Sequence, residues 1–480
     1  MGRYAPQLCS QTPCCITHWE FIRFYELIKI CYFMKFKNVL PIIIVVFSFC
    51  SCSKGSETAL EIKALQEEVY TVPIEEALSS LESFMVEKGM VKTKGSLSDY
   101  IDNYFPVSVP ATKAAAAQGN VIYAVNFKDE GGYAILAADT RIQEDILAVT
   151  DQGSITEDDF LEPVFEKIPT DNDDLSVSEY EAMVESGALA ALSRQVNKQC
   201  LLYATRRVDD VGGYGSGGGS GSGGTGTVTY SWKTVREVPR MINTAWTQST
   251  ENNDIFNKYC PEVGLIWKRK APAGCVCIAL SQIIAYHEYP YNLTCNRVPI
   301  DYPEIKKIYS YDKRKYEGSD EGKEMLALFC SGVGGWCRTK YGSIFGEAWG
   351  FAWPSDAKYC LETFEYKNVS LNWSYDERQV LKSLDNGCPV FMSAIAGLIS
   401  GHAWVIDGYM KRNYVSSSGT VKESQTLVHC NWGWGGSCNG YFTSGIFRTK
   451  DAATYDFTSR NSENYNFWYA FNTITYDKPL

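Results

Sequence analysis

The stretch from Gly212 to Gly226 is glycine and serine apart from Tyr214 and Thr225. Such a segment has no side chains with which to build a core, and it behaves as a flexible tether open to proteases. The 480-residue chain is therefore expected to form domains on either side of it. The two sides differ in character. Eleven of the twelve tryptophans (all but Trp19) and three of the four histidines lie beyond the tract. Before it, acidic residues dominate from Asp151 to Glu185, and Lys167 is the one basic residue there. A solvated face or loop is the expected role of that charge run. The net charge of −11 leaves no positive footprint for nucleic acid.

The N-terminus carries a different kind of signal. Met34-Lys35-Phe36-Lys37 is a basic opening, and Val39 to Phe49 is apolar. As a helix the apolar stretch spans roughly 16 Å, short of a ~30 Å hydrocarbon core, so it reads as the core of a secretory signal. It ends in Phe49-Cys50-Ser51-Cys52-Ser53, which resembles a lipoprotein signal, with Cys52 as the lipid acceptor because small Ser51 precedes it. A single-pass anchor is the alternative. Residues 1–33 stand before this signal as an N-terminal extension, read as an over-extended start. The remaining blocks are 57–205, a linker and processing region at 206–228, and 229–480.

Within 57–205, Ile74, Ala77, Leu78, Leu81, Phe84 and Met85 repeat at helical spacing, and Lys88-Gly89 supplies a stop. Val121 to Phe127 and Tyr133 to Ala138 are β-like runs around Lys128–Gly132, the pattern of a hairpin, and Ile146 to Val149 offers another strand.

The chemistry concentrates beyond the tether. Ala271-Pro272-Ala273-Gly274 is a turn that runs into a largely apolar helix ending before Pro290. Cys275 falls in the first turn, where unpaired N–H groups and the helix dipole favour a thiolate and lower the thiol pKa. Cys277 reads as a small buried residue. A thiolate nucleophile needs a histidine as base and proton donor. His287 is twelve residues further along the same helix, roughly 18 Å away, and cannot pair with Cys275. That leaves His402, in the strand-like run Gly401 to Tyr409, and His429, in Leu427 to Asn431 before the turn Trp432-Gly433-Trp434-Gly435-Gly436. The order Cys, His, Asn is the papain-like one.

Four stretches together resemble the streptopain-type cysteine peptidases, a papain-like family (C10) made as zymogens. They are Thr244-Ala245-Trp246-Thr247-Gln248; Gly274-Cys275-Val276 with Ala279, Gln282-Ile283, Tyr286-His287 and Tyr289-Pro290; Gly387 to Val390 with Gly401 to Tyr409; and Asn431 to Gly436 with Asn439 to Phe442. Ala124 to Ser154 is more loosely similar to the family's propeptide core. The resemblance implies an α+β fold, with a helical part and an antiparallel β part, preceded by an α+β inhibitory propeptide. It implies Cys275 as nucleophile, His402 as general base and acid, Asn431 orienting His402, Trp432 covering that contact, and Gln248 in the oxyanion hole. His429 becomes a strand residue beside the site. Losing one oxyanion donor costs ~2.7–4 kcal/mol of barrier. Ser331 to Trp349 only partly resembles the family's substrate-side loop.

The expected function is a secreted cysteine endopeptidase made as a zymogen. Its partners are protein or peptide substrates and its own propeptide, with a lipid anchor to the outer membrane or release after processing. No cofactor and no metal are expected, because Cys275-Val276-Cys277 lacks a second pair at zinc-site spacing. The alternative is a catalytically inactive surface binding protein on a peptidase-like scaffold.

Overall fold

The computed structural model describes residues 70–92, 97–108, 119–160, 196–205, 207–208, 229–248, 255–264, 268–313, 315–344, 347–396, 400–447 and 470–479. The extension 1–33, the signal 34–52 with Cys52, and the tether from Gly212 to Gly226 lie outside them.

The helical repeat after residue 70 forms α1 (Ile74–Glu87), which buries Ala77, Leu81, Phe84 and Met85. It closes at Lys88, and Gly89 follows at φ 69°, a left-handed position that glycine adopts at little cost. Four antiparallel strands come next: β1 (Ile101–Ser108), β2 (Asn120–Phe127), β3 (Tyr133–Ala137) and β4 (Ile146–Thr150). The expected hairpin is β2–β3, with Val125 opposite Ala134. The strands read as nearly continuous apolar runs because both faces are covered. Tyr123, Val125 and Phe127 pack towards α1, while Ile122 and Ala124 pack towards Cys200, Leu201 and Ala204 of the helical residues 196–205.

Beyond the tether, β5 (Tyr230–Val238) leads to α2 (Cys275–His287), α3 (Asp320–Trp336), the hairpin β6 (Lys340–Ile344) and β7 (Glu347–Phe351), and α4 (Pro354–Thr363). The stretch Ser331 to Trp349 is thus the end of a helix and most of a hairpin. The chain continues with β8 (Lys367–Asn372), α5 (Glu377–Asp385), β9 (Val390–Ala396), β10 (Ser400–Ser416), β11 (Val421–Asn431), β12 (Gly440–Thr443) and β13 (Ala470–Asp477). Helix α2 is buried on nearly every side. It packs on α3 and α4 through residues such as Ile283, Ile284, Phe329 and Leu361, and on β10 through Ala403 and Val405.

The sheet crosses from one side of the tether to the other. Its strand order is β1-β2-β3-β4-β12-β11-β10-β9-β13-β8, with β5 also on β10, and its pairs are antiparallel throughout. All described residues fall in one compact unit, 61–480. The α+β class therefore holds, and the seam between the two sides is the β4–β12 pair, with Val149 opposite Tyr441. Gly440 makes that approach possible, since a Cβ there would sit 2.2 Å from the Val149 carbonyl oxygen. Further contacts reinforce the seam. Arg412, 1% exposed, lies 3.4 Å from Asp145, and Gln425 Nε2 donates to the Ile146 carbonyl at 2.5 Å. Asp151, from the acidic run expected to be solvated, instead accepts a hydrogen bond from the buried Tyr311 hydroxyl. A tyrosine from the far side of the tether has captured the first residue of that run.

Candidate active site

Gly274 caps α2 at φ 91°, and a Cβ on it would lie 3.0 Å from the Gly350 carbonyl oxygen. A side chain there would meet both a left-handed backbone and the β7 main chain, so the residue before Cys275 has to be glycine. The turn is pinned on its other flank by the Ala273 N–H, which donates to the Gln248 carbonyl at 2.8 Å. That bond brings half-buried Gln248 to the entrance of the cysteine helix. An isolated bridge between Thr247 and Trp434 ties the same segment to the aromatic turn.

His402 lies on β10 opposite Ala394 and is 3% exposed. Its Nε2 is 2.8 Å from the Trp432 carbonyl oxygen. A carbonyl can only accept, so Nε2 carries the proton and Nδ1 keeps the lone pair that a general base requires. Burial pushes the imidazole down to about 4, with the Trp432 carbonyl working in the opposite direction. Cys275 Sγ lies against the backbone N–H groups of Ala403, the residue after His402, and of Val276. Cys275 and His402 are therefore brought to one place. Among the described residues no hydrogen bond joins the two side chains directly.

Two expectations need correction. The thiol is raised, not lowered: desolvation outweighs the N–H groups of Ala403, Val276 and Cys275 itself. The raised thiol and the lowered imidazole both favour the neutral groups. The second correction concerns Asn431. It does not bond His402; its Nδ2 donates to the Thr244 carbonyl at 2.8 Å and to Gln282 Oε1 at 3.1 Å, and its Oδ1 accepts from Gly433 N–H at 3.2 Å. The strand pairing explains this. Asn431 faces Val405 in the β10–β11 register and points, like Val405, towards the helical side, whereas His402, Trp404 and Trp432 stack together across the other face. Orientation of His402 thus falls to the Trp432 main chain.

The indole assignment changes with it. Trp432 stacks 6.3 Å from His402, but Trp434 is closer at 4.8 Å and 28°, and Trp404 lies at 6.0 Å. Trp434 was not singled out from sequence. Its spacing in Asn431-Trp432-Gly433-Trp434 was the available signal, because Gly433 at φ 73° and Gly435 at φ 66° fold that turn back on itself. Behind the indoles, Val196 and Gln199 from before the tether border a small cavity with Trp404, Trp432, Phe447 and Phe471. Gln199 Nε2 also donates to the Ile446 carbonyl at 3.1 Å.

The other two described histidines have partners of their own. His287 ends α2 and meets the Tyr476 hydroxyl at 3.2 Å; burial, then nearby Lys478, lower it to about 4. His429 Nδ1 is 2.6 Å from Asp407 Oδ1, where an irregularity in β10 between Ile406 and Gly408 turns Asp407 inward. Cys277 is buried, with its Sγ 3.1 Å from the Cys330 carbonyl. The described cysteines are free thiols.

The two lowered histidines set a pH dependence. Each has a folded pKa below its unfolded value of about 6.5, so the unfolded chain binds more protons between the two values. Their contribution is full above about pH 6.5 and is lost as pH falls towards 4, on the order of 3 kcal/mol per histidine. Urea unfolding of a Cys275→Ala chain at pH 7 and pH 4 measures this, and His402→Gln should remove about half of the histidine part.

Residues 246–442 match the Peptidase C10 family. Streptopain of Streptococcus pyogenes is 27% identical over 194 residues, which is 36% of this chain and 45% of streptopain, so the chain spans less than half the length of that relative. Among solved structures, a fragment of Prevotella intermedia prointerpain A covers 78% of this chain and 100% of its own, at 17% identity and a TM-score of 0.45. Active interpain A cysteine protease from the same organism covers 50% of this chain and 95% of its own, at 21% identity and a TM-score of 0.34. The cysteine helix, the histidine strand and the aromatic turn all lie inside residues 246–442, the stretch that is similar to the Peptidase C10 family.

Proposed function

We propose that this chain is the precursor of a cysteine endopeptidase in which Cys275 attacks the peptide carbonyl and His402 moves the protons. The observation that carries the reading is the convergence of a helix-mouth thiol with a histidine whose Nε2–H is held by the Trp432 carbonyl, leaving Nδ1 as the base. Attack forms an Sγ–C bond as His402 takes the thiol proton. The tetrahedral oxyanion is stabilised by the Cys275 N–H and the Gln248 carboxamide. His402 then protonates the leaving amine, and water, deprotonated by the same imidazole, cleaves the thioester.

The region before the tether acts as an intramolecular inhibitor. Its β4 is paired to β12, the strand that follows the Trp432–Gly436 turn, and the shift of both reacting groups towards their neutral forms fits a latent form. Cutting in or near the Gly212–Gly226 tether releases it. The substrates are proteins or peptides. Export and a lipid anchor at Cys52 rest on the sequence of residues 34–52.

Labelling with a thiol-directed epoxide tests the reading. The processed protein should be modified at Cys275, and His402→Ala should abolish that modification. Labelling that is unchanged in His402→Ala would favour a binding protein on an inactive scaffold. N-terminal sequencing and mass measurement of the two fragments in the same experiment locate the cut and read whether Cys52 carries lipid.

A further inference from the structure

Helix α2 is apolar on nearly every face, yet two polar side chains, Ser281 and Gln282, are buried in its third turn. Ser281 Oγ lies 3.9 Å from Cys277 Sγ. Gln282 is different. It is 1% exposed, and a carboxamide in such a place is costly unless its bonds are made. They are made, and each goes to a segment of the active site. Gln282 Oε1 accepts from Thr244 Oγ1 at 3.0 Å, from Asn431 Nδ2 at 3.1 Å and from the Trp246 N–H at 3.4 Å. Its Nε2 donates to Asn431 Oδ1 at 3.3 Å. Gln282 and Asn431 thus form an amide–amide pair in which each donates and each accepts.

The partners lead on to the segments that carry Cys275 and His402. Asn431 precedes Trp432, whose carbonyl holds His402. Thr244 and Trp246 lead to Gln248, whose carbonyl holds Ala273 two residues before Cys275. Gln282 itself is on the cysteine helix, about two turns from Cys275 and on the same side of it. We infer that Gln282 is a positioning residue: one carboxamide fixes the nucleophile helix, the segment carrying the oxyanion donor and the turn that orients the histidine. The kinetic part of this inference rests on the peptidase reading. It matters because small misplacements of reacting groups are expensive in rate.

The pair makes the inference testable by chemistry that packing cannot imitate. Methionine at 282 keeps the length and removes every hydrogen bond. Glutamate in its ionised form has no donor for Asn431 Oδ1. Once protonated, its O–H replaces Nε2–H and its carbonyl replaces Oε1, and burial raises a carboxyl pKa towards the range where this happens in mild acid. Gln282→Glu should therefore be defective in base and recover in acid.

The experiment uses the full-length chain, Gln282→Met and Gln282→Glu, at about pH 5 and about pH 8. It reads the rate of self-processing, the rate at which iodoacetamide modifies Cys275 (by peptide mass), and the melting temperature. Gln282→Met should process about tenfold to a hundredfold more slowly than the parent at both pH values. Gln282→Glu should match it at the higher pH and return to within about threefold of the parent at the lower. The inference is overturned if folded Gln282→Met processes at the parental rate, or if the Gln282→Glu deficit is equal at both pH values. Should Gln282→Met not fold, the acid recovery of Gln282→Glu decides alone. If the parent itself neither processes nor cuts casein, the peptidase reading fails. Gln282 is then judged by Cys275 modification, where pH profiles identical in parent and both variants would sink the positioning role.

Discussion

Cys275→Ala is expected to leave the full-length chain uncut and to reduce casein hydrolysis by roughly 10⁴- to 10⁶-fold, the loss typical of removing a nucleophile. No neighbour can take over. Cys277 is two residues along the helix, buried, with its sulfur committed to the Cys330 carbonyl. The fold should persist, because the half-buried Cys275 side chain adds little to a helix already buried through Val276, Ile278 and Ala279. Gel analysis of the purified chain over time, together with a melting curve, checks both parts. A Cys275→Ala chain that still processes itself at the parental rate would end the cysteine-peptidase reading.

The second large effect is expected at the seam. Arg412 is buried on β10 between the rings of Phe84 and Trp232, with Asp145 and Gln425 as its acceptors. Burial pushes the Asp145 carboxyl up, and Arg412 pulls it back down. Asp145→Ala leaves the guanidinium buried without its carboxylate, a change that typically costs about 3–5 kcal/mol. Asp145 lies before the tether and Arg412 beyond it. The destabilisation should therefore appear in urea unfolding of the uncut chain, measured in a Cys275→Ala background. In an active background the same variant should process faster, because the inhibitory part is held less tightly. Once processed, its peptidase activity should equal that of the parent, since Asp145 is no longer part of the enzyme. A processed Asp145→Ala protein with altered activity would mean that the N-terminal part stays bound after the cut.

The local elements were legible because their signals are local. The spacing Ile74 to Met85 gives α1, the apolar runs around Lys128–Gly132 give the β2–β3 hairpin, and Gly274 before an apolar stretch gives the start of α2. Part of the site was legible for the same reason, as Cys275 sits at a helix mouth and His287 is set aside by distance, whereas the choice of His402 over His429 rested on the family resemblance. What escaped was the identity of the partners. Nothing in Asn431-Trp432 tells which of the two reaches His402, because the answer depends on which sheet face each residue occupies. A carbonyl, moreover, leaves no mark in the sequence. Gln282 was visible as a polar residue in an apolar helix, but its role needs three chain segments to meet.

The thiol illustrates the same division. A helix N-terminus lowers a thiol pKa and burial raises it; the sequence specifies the first and only packing sets the second, which here is larger. By itself the sequence determined that Cys275 opens an apolar helix, that His402 and His429 are the histidines left to pair with it, and that a glycine–serine tract divides the chain. The tertiary structure alone decided that the two sides of that tract share one sheet, because strand pairing is made by main-chain groups that every residue carries. The register that sets β4 beside β12 is fixed by the close approach at Gly440 and by Asp145, Ile146 and Asp151 reaching partners far along the chain.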